Sequence, residues 1–279
     1  MVSGLWVYPV KGMSGNPVAS LRFDEFGPID DRRWMLMDEQ GRFICQRRFP
    51  LIGLFKASVL GQRLTITAPD GETKNVSPVD CVTAVRAQVW SDDVAVRLAP
   101  DAMNQWLSQY FSQPVYLVCY RTDLPRSTHP DYAQAKVGFA DGFPLLVCLE
   151  ESLAALNQQR DGSNALSMLR FRPNIVLSGA PAWQEQYWLK LTSDTHQLTI
   201  VKPCTRCAVV TIEPGTTERD PSVLRDLMRN LVWQKQPVFG QNAVLAKTEG
   251  ALVLGDSFDV FEGEEPFAAV IDRTTSQPA

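Results

Sequence analysis

The chain of 279 residues is 45% hydrophobic and 21% charged, with a net charge of −4, which suits one large or two ordinary folded domains and argues against a broad basic face for nucleic acid. Its six cysteines, Cys45, Cys81, Cys119, Cys148, Cys204 and Cys207, are too thinly spread to staple a chain of this size, so reduced thiols are expected rather than a disulfide framework. No run reaches the ~18–20 apolar residues of a membrane helix, and the first residues lack the basic-then-apolar pattern of a secretory leader, so a cytoplasmic chain with no membrane partner is expected.

Taken in order, short runs rich in Val, Ile, Thr and aromatics alternate with Gly, Pro and Asp. They predict strands at 5–8, 33–37, 55–59, 63–67, 85–90 and 94–98, with hairpin turns at 38–41 and 69–71. Pro100-Asp101 announces a helix that sets Met103, Trp106, Leu107 and Tyr110 on one face. A second helix is predicted from Glu150, with Leu149, Leu153 and Leu156 in line and two early acids suited to the positive helix end. A third follows Asp220-Pro221, read as N-cap and first-turn proline, and turns Leu224, Leu227, Met228 and Leu231 inward. Further strands are predicted at 174–177, 198–201, 208–212, 243–246 and 258–261, and the residues beyond Phe261 read as a frayed tail. The fold class is therefore mainly β (α+β), with a boundary near residue 120.

One stretch concentrates chemistry. From Val201 to Thr211, Cys204 and Cys207 lie beside Lys202 and Arg206, and cations favour the thiolate, the form that attacks electrophiles or binds metals. The alternative is that both cysteines are small, half-buried residues at a strand start. Three other turns carry cations: Tyr8-Pro-Val-Lys-Gly12, Asp30-Asp-Arg-Arg-Trp34 and Phe171-Arg-Pro-Asn174. Each alone reads as a solvated cation or a partner of a nearby acid. Together they suit a phosphorylated heterocycle, since arginine forks onto phosphate and asparagine both donates and accepts. His129 and His196 are placed in polar loops without metal-ligand spacing, and Glu150-Glu151 is explained by its helix start.

The combination resembles the MOSC family of molybdenum-cofactor proteins, in the branch of the amidoxime-reducing and N-hydroxypurine-resistance proteins. The resemblance runs through nearly the whole chain: Tyr-Pro-Val-Lys at Tyr8 to Lys11, Asp-Arg-x-Trp at Asp31 to Trp34, Phe-Arg-Pro-Asn at Phe171 to Asn174, Arg206-Cys207 before a Thr-containing strand, Phe239-Gly240, and Gly255-Asp256. It implies an N-terminal MOSC-associated β-barrel domain over 1–120, a MOSC β-barrel over 121–265 and a tail over 266–279. It implies that Cys207 is the catalytic thiolate bound to molybdenum, that Lys11, Arg32, Arg172 and Asn174 hold the pterin and its phosphate, and that Arg206 helps hold the cofactor or sets the thiolate's surroundings. The implied activity is reduction of N-hydroxylated bases, amidoximes or hydroxylamines by the molybdenum cofactor, with electrons from a separate flavin or iron–sulfur protein. The alternative is a carrier of cofactor or sulfur without turnover.

Two departures stand out. Gly12 occupies a position where close relatives often carry Ser, and no C-x4-C-x2-C set for a plant-type iron–sulfur cluster is present. The electron donor is then a separate protein, or the sequence is part of a longer chain. A dithiol mechanism using Cys204 with Cys207 is disfavoured by the predicted strand after the pair, because thioredoxin-like pairs open a helix.

Overall fold

The structure is a computed structural model that describes residues 1–160 and 165–270. It is strand-dominated. Its largest sheet runs in the order Asn16–Pro17, Val2–Val7, Ile175–Leu177, Leu145–Leu149, Gln236–Thr248, His196–Thr205, Trp188–Thr192, Asp259–Glu262. The first strand thus pairs antiparallel with a strand of the second half, Leu5 opposite Ile175. In return, Ala251–Val253 pairs with Ser20–Asp24, so pairing crosses the expected boundary twice. A separate four-stranded sheet joins Trp34–Met37, Tyr116–Tyr120, Asp92–Leu98 and Thr83–Val89.

The central strand Leu145–Leu149 is buried along its whole length. Its side chains alternate between two cores, Leu145, Val147 and Leu149 on one face and Leu146 and Cys148 on the other. It runs parallel to Ile175–Leu177, which requires a crossover, and the helix Glu150–Gln158 lies within that connection. Glu150 and Glu151 occupy its first turn, as expected for its positive end.

Of the other two predicted helices, one spans Asp101–Phe111, with Met103, Trp106 and Leu107 buried. The last is Ser222–Asn230, which buries Val223 and Leu227. Met228, expected inward, is 38% exposed instead. Val223 and Leu227, one turn apart, mark the buried face, and Met228, about 100° further round the helix, falls off it.

Three expectations are corrected. Residues 208–212 do not form a strand: Ala208–Thr211 is a 3-10 helix in which Val210 N–H donates to the Cys207 carbonyl at 3.1 Å. In this stretch only Ile212, at its end, makes a β-bridge among the described residues, to Arg219, and β propensity without a paired strand does not fix the backbone. His196 is not in a polar loop. It begins the strand His196–Thr205, is 1% exposed, and sets its ring edge-on to Phe23. The tail does not fray directly after Phe261: Phe267 N–H donates to Gln186 O at 2.8 Å, and Ala269–Val270 pairs with Leu231–Trp233. Residues 271–279 lie outside the described residues.

Candidate functional site

The Tyr8–Lys11 turn runs beside Asp31–Trp34. Arg32 N–H donates to Tyr8 O at 2.7 Å, Trp34 N–H to Pro9 O at 3.1 Å, and Lys11 N–H to Trp34 O at 2.8 Å. Pro9 has no N–H to lose here. Tyr8 N–H donates to Asp31 Oδ1 at 2.8 Å. Two turns far apart in sequence thereby deliver Lys11 and Arg32 to one wall.

That wall bounds a cavity of about 420 Å³, lined by Lys11, Arg32, Arg172, Asn174, Arg206 and Cys207 together with Cys45, Arg47, Trp90, Asp141, Lys202 and Cys204. All six residues singled out by the resemblance therefore meet in one place. They differ in what they have left to offer a ligand.

Arg32 and Arg172 carry the positive end. Both have left-handed backbones, with φ of 48° and 58°, a conformation costly for a residue with a Cβ and found where a side chain must be aimed. Both guanidiniums lie over the Tyr8 ring, at 4.1 and 4.4 Å from its centroid. Arg32 donates to Asp31 Oδ2 at 2.6 Å, Asn174 Oδ1 at 3.1 Å and the Arg172 carbonyl at 3.1 Å. The Arg172 side chain has no acceptor among the described residues. Burial, and then the nearby Arg32 charge, lower its pKa to about 10, which leaves it cationic at neutral pH. Two cations with one carboxylate between them form an incomplete pair that an anion such as phosphate completes.

Asn174 is 1% exposed, and its amide is already committed. Oδ1 accepts from Arg32 and from Leu146 N–H at 3.3 Å, while Nδ2 donates to Trp6 O at 3.2 Å. It joins three strands and aims Arg32. Arg206 is similarly engaged: Nε donates to Phe239 O at 3.1 Å and a terminal N–H to Phe171 O at 2.9 Å. Those two carbonyls belong to stacked rings whose centroids are 4.0 Å apart, so Arg206 braces the cavity floor.

Lys11 Nζ donates to Phe139 O at 2.8 Å and pairs with Asp141. Burial pulls its pKa down, with Asp141 opposing. Desolvation at the cavity wall acts to raise the Asp141 pKa, although its side chain is 75% exposed, and the Lys11 ammonium and a Trp90 N–H bond outweigh it and hold the pKa at about 2. Lys202, expected to sit beside the thiols, instead places Nζ over the rings of Tyr132, Trp233 and Phe143, at 4.6, 5.4 and 5.6 Å.

The two motif cysteines are unlike. Cys204 is half-buried, and burial pushes its thiol pKa up, against the Arg206 charge. Cys207 is exposed on the cavity wall and caps the 3-10 helix Ala208–Thr211. A short helix, not a strand, follows the pair, so the argument from a following strand against a dithiol pair falls. The contrast in burial is what separates the two sulfurs. Among the described residues, no cluster of three or more His, Cys, Asp or Glu could by itself hold a metal. A soft metal at the Cys207 thiolate would take its remaining ligands from a non-protein group.

Gly12 adopts φ +90°, a backbone that L side chains rarely adopt. Its carbonyl accepts from Gln46 Nε2 at 2.6 Å, so this glycine shapes the wall through its backbone. Sequence reasoning missed Asp141, Tyr8 as a cushion, Cys45, Arg47 and Trp90. Asp141 stands in an ordinary Asp-Gly turn, and nothing local marks Arg47 or Trp90 as facing the same space as Cys207.

The chain matches the MOSC N-terminal beta barrel domain over residues 1–114 and the MOSC domain over residues 134–259. It is 30% identical to mitochondrial amidoxime-reducing component 1 of Homo sapiens, over 91% of this chain and 81% of that protein. It is 28% identical to the Xenopus laevis component 1, over 92% and 80%, and 27% identical to mitochondrial amidoxime reducing component 2 of Rattus norvegicus, over 91% and 81%. With its cation-lined cavity and exposed motif thiol, the chain belongs to the MOSC-domain family that includes the amidoxime-reducing components.

Proposed function

We propose that this chain is a molybdenum-cofactor-dependent reductase of N-hydroxylated compounds, such as amidoximes, hydroxylamines and N-hydroxylated bases, that takes electrons from a separate flavin or iron–sulfur protein. The observation that carries the reading is the pairing, in one cavity, of an exposed thiol at Cys207 with a guanidinium at Arg172 that no described acceptor satisfies. A thiolate suits molybdenum and a guanidinium pair suits a pterin phosphate. The name of the relatives, amidoxime-reducing component, supports the substrate class.

The residues divide the work. Cys207 supplies the protein's sulfur ligand, and Arg172 with Arg32 binds the anionic end. Asn174 and Tyr8 orient Arg32, and Arg206 fixes the floor between Phe171 and Phe239. Lys11, locked onto Phe139 O and Asp141, closes the opposite side. The cofactor, when bound, supplies two-electron oxygen abstraction, and the balance is one N–OH with two electrons and two protons giving N–H and water.

The chain loaded with cofactor should be inactive with reduced nicotinamide alone. It should turn over an amidoxime once a flavin or iron–sulfur reductase, or a reduced viologen, is added. Cys207→Ser should abolish that turnover and Cys204→Ser should keep most of it. Equal loss in both, with a disulfide trapped between them, would favour a dithiol mechanism. A fully loaded protein that reduces no N-hydroxylated compound under chemical reduction would instead point to a cofactor carrier.

A further inference from the structure

We propose that Arg47 and Trp90, backed by Phe43, form the substrate subsite, and that they select N-hydroxylated compounds bearing a flat aromatic or heteroaromatic group. This rests on the reductase reading and names the part of the cavity that the anion site does not use.

Trp90 sits in the tight turn between the strands Thr83–Val89 and Asp92–Leu98. Its φ is +58°, where a two-residue hairpin turn ordinarily takes Asn or Gly. The indole gains no core burial in return, being 42% exposed. A bulky residue held in a disfavoured backbone and left open at a cavity mouth is the pattern of a side chain kept for a ligand.

The ring is nonetheless fixed. Its Nε1–H donates to Asp141 Oδ1 at 3.2 Å, and Phe43 packs at a centroid distance of 5.0 Å. The Arg47 guanidinium lies over the indole at 4.7 Å. Arg47 has no carboxylate partner among the described residues, while its own carbonyl is held by an Arg219 N–H at 2.9 Å. Backbone and ring are anchored, and the guanidinium, beside the Cys45 thiol, is left without a carboxylate.

A guanidinium lying over an indole leaves its other side open, and a second aromatic plane can complete the layer there. Phe43, Arg47 and Trp90 line the same cavity as Cys207, so a ring bound there keeps its N–OH substituent within the reacting space. Asp141 Oδ1 takes both Lys11 and Trp90. Oδ2 has no partner among the described residues and can accept the N–H of an amidine or aminopurine.

The test uses cofactor-loaded chain, a reduced viologen, and two probes, benzamidoxime and acetamidoxime. Arg47→Ala and Trp90→Gly, the latter suited to the left-handed turn, should each lower the ratio of kcat/KM for the aromatic over the aliphatic probe about tenfold, chiefly through KM. Trp90→Tyr, which keeps a flat ring, should retain most of the preference. Arg47→Lys, which keeps the charge without the plane, should not. Equilibrium dialysis of benzamidoxime against the loaded, unreduced proteins should weaken in the same order. Thermal unfolding identifies any variant that has lost its fold, and the exposed Arg47 pair then carries the decision. A ratio within twofold of wild type in folded Arg47→Ala and Arg47→Lys overturns the subsite even if turnover is intact. Failure of the wild type to reduce either probe, with Arg47-dependent binding preserved, overturns the reductase reading and leaves the subsite standing.

Discussion

Arg172 and Arg206 bring the same side chain to one cavity, and their surroundings give them opposite tasks. Arg206 donates to two backbone carbonyls, and hydrogen bonds from a charged donor are worth about 1.5–3 kcal/mol each. Arg206→Ala should therefore shift chemical denaturation of the cofactor-free chain by at least that much. Arg172 has no such bonds, so Arg172→Ala should leave the denaturation midpoint in place and lower cofactor content, read by molybdenum analysis. An Arg172 variant that unfolds early yet keeps full cofactor would reverse the assignment. A second residue-scale test concerns Glu185, which is 0% exposed and whose pKa burial raises from 4.5 to about 7, against a Ser152 hydrogen bond. A raised carboxyl pKa favours the neutral acid in the fold, so its contribution is intact below pH 4.5. Stability is lost as pH rises through about 7, and the full penalty is about 3 kcal/mol. Glu185→Gln should flatten that slope between those limits, as measured by urea midpoints across pH. At this scale the sequence marked the cations because each stands in a turn beside Pro, Asp or Asn. It could not mark Asn174 as a strand joiner, since its partners Trp6 and Leu146 are distant in the chain.

Among elements, the strand Gln236–Thr248 passes directly under the site, and Gly240 within it has φ +74°. A Cβ there would lie 2.6 Å from Cys148 Sγ and 2.8 Å from Val147 O. The second of these is backbone and cannot step aside. Gly240→Ala should thus cost about 2 kcal/mol or more, from a disfavoured backbone together with overpacking. It should also lower cofactor content, because the displaced strand carries the Phe239 carbonyl that Arg206 grips. Differential denaturation together with metal analysis checks both, and a variant of wild-type stability would show that the sheet relaxes freely. Periodicity made the helices and many strands legible here. It failed at 208–212, where β-branched residues suggested a strand and the Cys207 carbonyl and Thr211 hydroxyl instead close a 3-10 turn. Strand pairing, not residue type, decides such a segment, and pairing is not written locally.

For the whole molecule, interleaved pairing means that the large sheet takes its first strand from one half and its other long strands from the other, although the first half keeps a four-stranded sheet of its own. Val2 N–H donates to Asp256 O at 2.7 Å and Gly255 N–H to Val2 O at 2.9 Å, so the family's Gly-Asp turn anchors the first strand rather than facing the cavity. The sequence showed a strand near the start but not that its partner lies some 170 residues on, as Leu5 opposite Ile175 does. The cavity draws Lys11 and Arg32 from one half and Arg172 and Cys207 from the other, so it exists only while both are joined. Unfolding should then be cooperative across the boundary near residue 120. Leu5 is 1% exposed within the large-sheet core, and Leu5→Ala should cost about 2–5 kcal/mol. Amide hydrogen exchange read by mass spectrometry locates that loss. In a single cooperative unit, peptides covering Tyr116–Tyr120 and His196–Thr205 lose protection together. If only the second peptide loosens while the first keeps its wild-type protection, the halves fold independently and the shared strand merely docks.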